Sequence, residues 1–167
     1  MKSNYWKTLA VFAAGVGLFL SVQRAAGAHS EDGDRDGRTL QGTWVVTVTQ
    51  QACPNGPAIA PPFRSLLTFE AGGTMTETTD NPMFFPAFRG PGHGVWNHTG
   101  RHTYSADSLA FITVNGMLAK TQKISQTIEM GDDPDQFTTT AASVQFFDPT
   151  GTLLVTGCAT ATGQRFE

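Results

Sequence analysis

The sequence predicts an all-β protein: a single eight-stranded antiparallel up-and-down barrel, closed by a disulfide between its first and last strands. Three observations point to it. Eighteen Gly, nine Pro and 23 Thr among 167 residues favour strands and turns, and no ten-residue stretch carries a helical stripe. From Leu40 onward the chain falls into eight strand-like runs separated by turn signals. Paired residues of an antiparallel ladder have a constant index sum. Cys53 with Cys158 sums to 211 and Trp44 with Arg165 to 209, so one ladder between the first and last runs serves both pairs. Closing that ladder also removes both exposed sheet edges.

Residues 1–28 precede this barrel and read as a secretory leader. Lys2 and Lys7 supply the positive start, Thr8 to Val22 is almost wholly apolar, and Ala26-Gly27-Ala28 supplies the small residues of a cleavage site. The apolar run is about 15 residues, short of the ~20 that span a bilayer, so no stable membrane span is expected after cleavage. Loss of Lys2, Lys7 and Arg24 with the leader takes the formal charge from −3 to −6. An acidic exported chain, periplasmic or secreted, is a poor partner for nucleic acid. Two cysteines in such a compartment form a disulfide, and neither a CxxC nor a Cys/His metal spacing accompanies them. Residues 29–39 are charged and without apolar periodicity, a flexible tail. Its Asp32-Gly33-Asp34-Arg35-Asp36-Gly37 opens like a calcium loop, but Thr43 stands where that loop needs a bidentate Glu.

The barrel domain, 40–167, has expected strands at 40–50, 63–70, 73–79, 94–98, 102–113, 118–130, 136–147 and 152–166. Ala71-Gly72-Gly73, Thr99-Gly100, Asn115-Gly116, 131–135 and Asp148-Pro149-Thr150-Gly151 serve as turns. Two connections are long, a Pro-rich 51–62 and a Pro-, Phe- and Gly-rich 80–93. Alternation aims Trp44, Val46 and Val48 inward, with Leu67 and Phe69, and Ile124, Gln126, Ile128 and Met130. The third and fifth strands are ambiguous by parity. The seventh changes phase between Phe137 and Phe146, which predicts a bulge.

Gly42-Thr43-Trp44 opening the first strand, with Arg165 ending the last, resembles the calycin pattern of lipocalins. The resemblance implies that Trp44 plugs the closed end and that Arg165 packs across it in a cation–π contact worth about 0.5–2 kcal/mol. The usual C-terminal helix of that family has no counterpart here. The chain is also similar to small exported bacterial proteins of unassigned function that share the stretches at 72–78, 91–96 and 103–106.

Few residues offer chemistry. His93, His98 and His102 are close in sequence, but His93 and His98 bracket a strand and lie about 16 Å apart at ~3.3 Å per residue. Neither a metal nor a cofactor is expected. Asp107 is the weak catalytic candidate: facing inward with Ser105 and Leu109, it would serve as the base of a cyclase or isomerase. The more informative stretch is Asn81–Arg89, whose three Phe and one Met are unusual in a Pro-punctuated loop. That loop falls at the end away from Trp44 and is expected over the open mouth, as lid, plug or docking patch. The expected function is binding of a small apolar molecule in the interior, with Phe69, Phe84, Phe85, Phe88 and Ile128 as its contacts. The alternatives are an enzyme using the same cavity and a solid barrel that docks an envelope protein.

Overall fold

The computed structural model describes residues 39–166, with backbone alone at 140 and 141. The leader, and the tail up to residue 38, lie outside the described residues. The strands are β1 (Gly42–Gln51), β2 (Phe63–Phe69), β3 (Thr74–Asp80), β4 (Phe88–Gly100), β5 (Thr103–Val114), β6 (Met117–Met130), β7 (Gln136–Phe147) and β8 (Leu153–Arg165). Each pairs with the next, and β8 returns to β1 to close the barrel. In the closing ladder Trp44 lies opposite Arg165 and Gln51 opposite Cys158. Cys53, two residues past Gln51, is bonded to Cys158 across a Cα–Cα distance of 5.2 Å. The closed sheet holds its own core and leaves no edge.

The core fills one end of the barrel. Trp44, Phe69, Met75, Trp96, Tyr104, Ile128, Met130 and Phe137 are buried together, and Leu40 lies among them. Aromatic edges meet faces here: Trp44 and Phe137 centroids are 4.9 Å apart, and Phe69 lies 6.1 Å from Trp96. Gly163 is a packing requirement, since a Cβ there would collide with the Phe137 ring. The Trp44 indole N–H donates to the Leu40 carbonyl at 2.9 Å, which ties the chain entering β1 across the base.

Arg165 covers this end. Its guanidinium carbon stands 4.3 Å from the Trp44 ring centroid. Its Nε donates to Asp135 at 2.7 Å, while Nη1 and Nη2 donate to the carbonyls of Gln41, Thr39 and Pro134. One side chain therefore joins the segment before β1, the β6–β7 turn and the end of β8. Arg165→Ala is expected to lower stability by about 1–3 kcal/mol, from the uncovered indole and the lost charge-assisted bonds. Denaturant unfolding checks this, and a double-mutant cycle with Trp44→Phe is expected to show coupling rather than additivity.

The structure corrects two expectations about the strands. The fourth begins at Phe88, not 94, so the 80–93 connection shrinks to residues 81–87 with a short 3-10 turn at Pro82–Phe84. Gly90, Pro91, Gly92 and Gly94 look like loop residues in isolation, yet a register shift between Arg89 and Gly92 lets the strand carry them. Gly94 is needed there, since a Cβ would strike the β5 backbone. On the fifth strand, which alternation left ambiguous, Asp107 does not take the inward position its catalytic reading needs. Tyr104, Ala106, Ser108, Ala110 and Ile112 face in, while Asp107, Leu109 and Phe111 face out. The seventh strand does shift register, between Thr139 and Ala142.

Candidate functional site: a polar cavity below the barrel mouth

The four connections β1–β2, β3–β4, β5–β6 and β7–β8 all lie at the end opposite Trp44 and frame the mouth. Below them the barrel contains a cavity of about 60 Å³. Small side chains make the room: Val46, Val48, Ala142, Val144, Ala159 and Ala161 line it where the other end has aromatic rings. That space suits a few waters or a small chemical group.

The cavity's polar wall is a buried ion pair. Glu77 on β3 pairs with Arg89 on β4, and their side chains are 4% and 2% exposed. Arg89 Nη2 donates to Glu77 Oε1, and Nε donates to Gln122 Oε1 on β6 at 2.5 Å. Nη1 reaches the Gly90 carbonyl at 3.3 Å. The construction follows from the register. Glu77, Gly92, Ala110 and Gln122 lie in one row across β3 to β6. The middle members are Gly and Ala, so the row has a gap that the Arg89 side chain crosses. A Cβ on Gly92 would overlap the Glu77 side chain. The shift between Arg89 and Gly92 is what lets two residues three apart both point inward. Beside this trio, Ser65 and Thr79 share a hydroxyl contact of 2.9 Å.

Phe84 sits over the opening. Asn81 begins the 3-10 turn, its side-chain oxygen accepting from the Met83 N–H at 2.9 Å. The turn directs Phe84 into the cavity lining, with its ring 6.5 Å from Phe146. Met83 and Phe85 of the same loop, and Phe88 at the start of β4, point to solvent instead.

The expected ligand contacts are therefore not gathered in one place. Phe84 lines the cavity, Phe85 and Phe88 lie outside it, and Phe69 and Ile128 belong to the packed core at the closed end. Large rings there fill the space that a ligand would need. Asp107 is on the outer wall, where it accepts from Ser125 and lies 3.8 Å from Lys123. The acid that faces the cavity is Glu77, which the sequence reading did not single out. Its only signal was the polar Glu in a strand of uncertain parity. His93 is exposed on the outside and His98 packs against Tyr104. No group of three metal-ligating side chains is assembled among the described residues.

No family model and no curated protein sequence matches the chain. Solved structures similar to it include two β-barrels. One is a redesigned beta barrel, b11L5F_LGL, at 20% identity and a TM-score of 0.42, covering 77% of this chain and 92% of that one. The other is EF1p2_mFAP2b bound to DFHBI, at 21% identity and a TM-score of 0.48, covering 80% of this chain and 98% of that one.

Proposed function

We propose that the protein is an exported small-molecule-binding barrel, whose ligand places a polar group on Glu77, Arg89 and Gln122 and an apolar body among the small aliphatic side chains. The supporting observation is the ion pair itself. Two charges held inside a barrel lose their hydration, and an apolar replacement of similar volume is commonly as stable or more so. Stability therefore gives no reason for keeping Glu77 and Arg89 on the wall of a cavity, whereas polar recognition does. The pair carries no net charge, so the matching ligand is neutral, with both a donor and an acceptor. This refines the expectation of a purely apolar ligand. The disulfide fits an oxidising compartment, in keeping with the leader.

Phe84 is the gate in this reading, because its side chain occupies the route from the mouth to the ion pair. The test uses phenol, a small neutral aromatic whose hydroxyl both donates and accepts, followed by titration calorimetry. Phe84→Ala is expected to raise probe affinity several-fold by lengthening the cavity. Since Phe84 is only half-buried, thermal stability is expected to change little. Glu77→Gln combined with Phe84→Ala is expected to lose most of that gain. A loss of several kcal/mol in Phe84→Ala without probe binding would make the residue a core plug, as full burial of a Phe contributes about 1.5–3 kcal/mol.

A further inference from the structure

The barrel's exposed apolar side chains are concentrated at the mouth. Ile59, Met83 and Phe85 come from two neighbouring connections and Met117 from the start of β6 beside the next, and Phe85 and Met117 are 86% and 72% exposed. Charge is distributed in the opposite sense. Residues 52–62, 81–87 and 114–118 contain no charged side chain. The shorter connections at the other end contain Glu70, Arg101, Asp132, Asp133 and Asp135. The fourth mouth connection, between β7 and β8, has one acid, Asp148. Its carboxyl is held below the usual range by the Thr150 hydroxyl and by backbone N–H groups of Thr152, Thr150 and Gly151. Asp148 is the one charged side chain of the four mouth connections.

We propose that the mouth docks onto the surface of an uncharged, zwitterionic phospholipid bilayer, with the loops 52–62, 81–87 and 114–118 inserted among the lipids. Two features favour lipid over a protein surface. The β5–β6 tip is exposed on both faces, and Val114, Met117 and Leu118 make it apolar on both. A protein partner covers one face of such a hairpin, while a fluid apolar medium surrounds it. The loops also lack any charge with which to register on a folded partner or on anionic headgroups. Insertion is then driven by apolar burial alone. The docking does not depend on what the cavity holds, although it would open the mouth directly toward the membrane.

Flotation with phosphatidylcholine vesicles tests this, using protein that begins at residue 29 because the leader is itself apolar. The chain is expected to float with the vesicles, to the same extent at low and high salt. Phe85→Ser with Met117→Ser, both outside the cavity lining, is expected to lower the partition coefficient at least tenfold and leave the melting transition unchanged. Val95→Ser, an exposed apolar-to-polar change on the barrel wall, is expected to have no effect on flotation. Absence of flotation, or flotation that the double variant leaves unaltered, would overturn the proposal. So would a concentration-dependent dimer that forms without lipid and that the double variant abolishes, since the occupant would then be a second copy. Probe binding is read separately in solution, so failure here and failure of the cavity reading are distinguishable.

Discussion

Arg89→Ala is expected to lower the free energy of unfolding by about 3–5 kcal/mol, the range for removing one partner of a buried ion pair. The cause is less the lost attraction than the stranded carboxylate. Glu77 is held on the barrel wall by the row it shares with Gly92, and its side chain is almost fully buried. Gln122 loses its donor as well. The informative comparison is the double variant Glu77→Leu with Arg89→Met. Apolar replacement of both partners is expected to recover all of that loss, and to exceed the wild type if the packing is good. Urea unfolding of the three proteins reads the effect directly. A stable double variant that no longer binds the probe would assign the pair to recognition. Gly92→Ala reaches the same network by another route, since the added methyl group displaces the Glu77 side chain without removing a charge.

The disulfide is the second large term. Cys53→Ser with Cys158→Ser is expected to cost about 2–5 kcal/mol. The bridge joins residues 105 apart, and a loop of that order gives up to about 4.7 kcal/mol by the chain-entropy account. The folded state is expected to change little, because eight residue pairs already close β1 onto β8. The bridge acts beyond them, clamping the Pro-rich 52–62 connection to β8 at the mouth. Chemical denaturation of the oxidised protein against the Ser variant measures the difference. A loss under about 1 kcal/mol would mean that the unfolded chain is already compact enough to keep the two positions close.

The closed end of this barrel was readable before any coordinates. Trp44, Arg165 and Cys158 sit on one ladder, Cys53 lies two residues past its end, and the register of an antiparallel ladder is a matter of index sums. The seventh-strand shift was readable too, because the Phe137 and Phe146 phases conflict on an unbroken strand. The polar wall was not. Arg89 lay in a stretch of Gly and Pro that, taken locally, is loop, and only pairing with β5 makes it strand. Asp107 was misplaced for a related reason. On β5 the larger apolar residues, Leu109 and Phe111, face solvent, while Ala106, Ser108 and Ala110 face in. This is the reverse of the usual hydrophobic-in alternation.

Strand number, closure, the disulfide and the placing of Arg165 beside Trp44 follow from turn chemistry and antiparallel arithmetic, which act between residues near in sequence or on one ladder, and the calycin resemblance implies the packing of that pair across the base. Sidedness, the Arg89 bulge and the cavity do not. A narrow barrel has a limited interior, and the residue that fits at one level depends on what the other strands place at that level. Gly92 and Ala110 are small because Arg89 crosses their row, and Arg89 points inward because Gly90 and Pro91 bulge out of the ladder. Volume summed around a ring of eight strands is a property of the closed fold, so the site it leaves open emerged only with the tertiary structure.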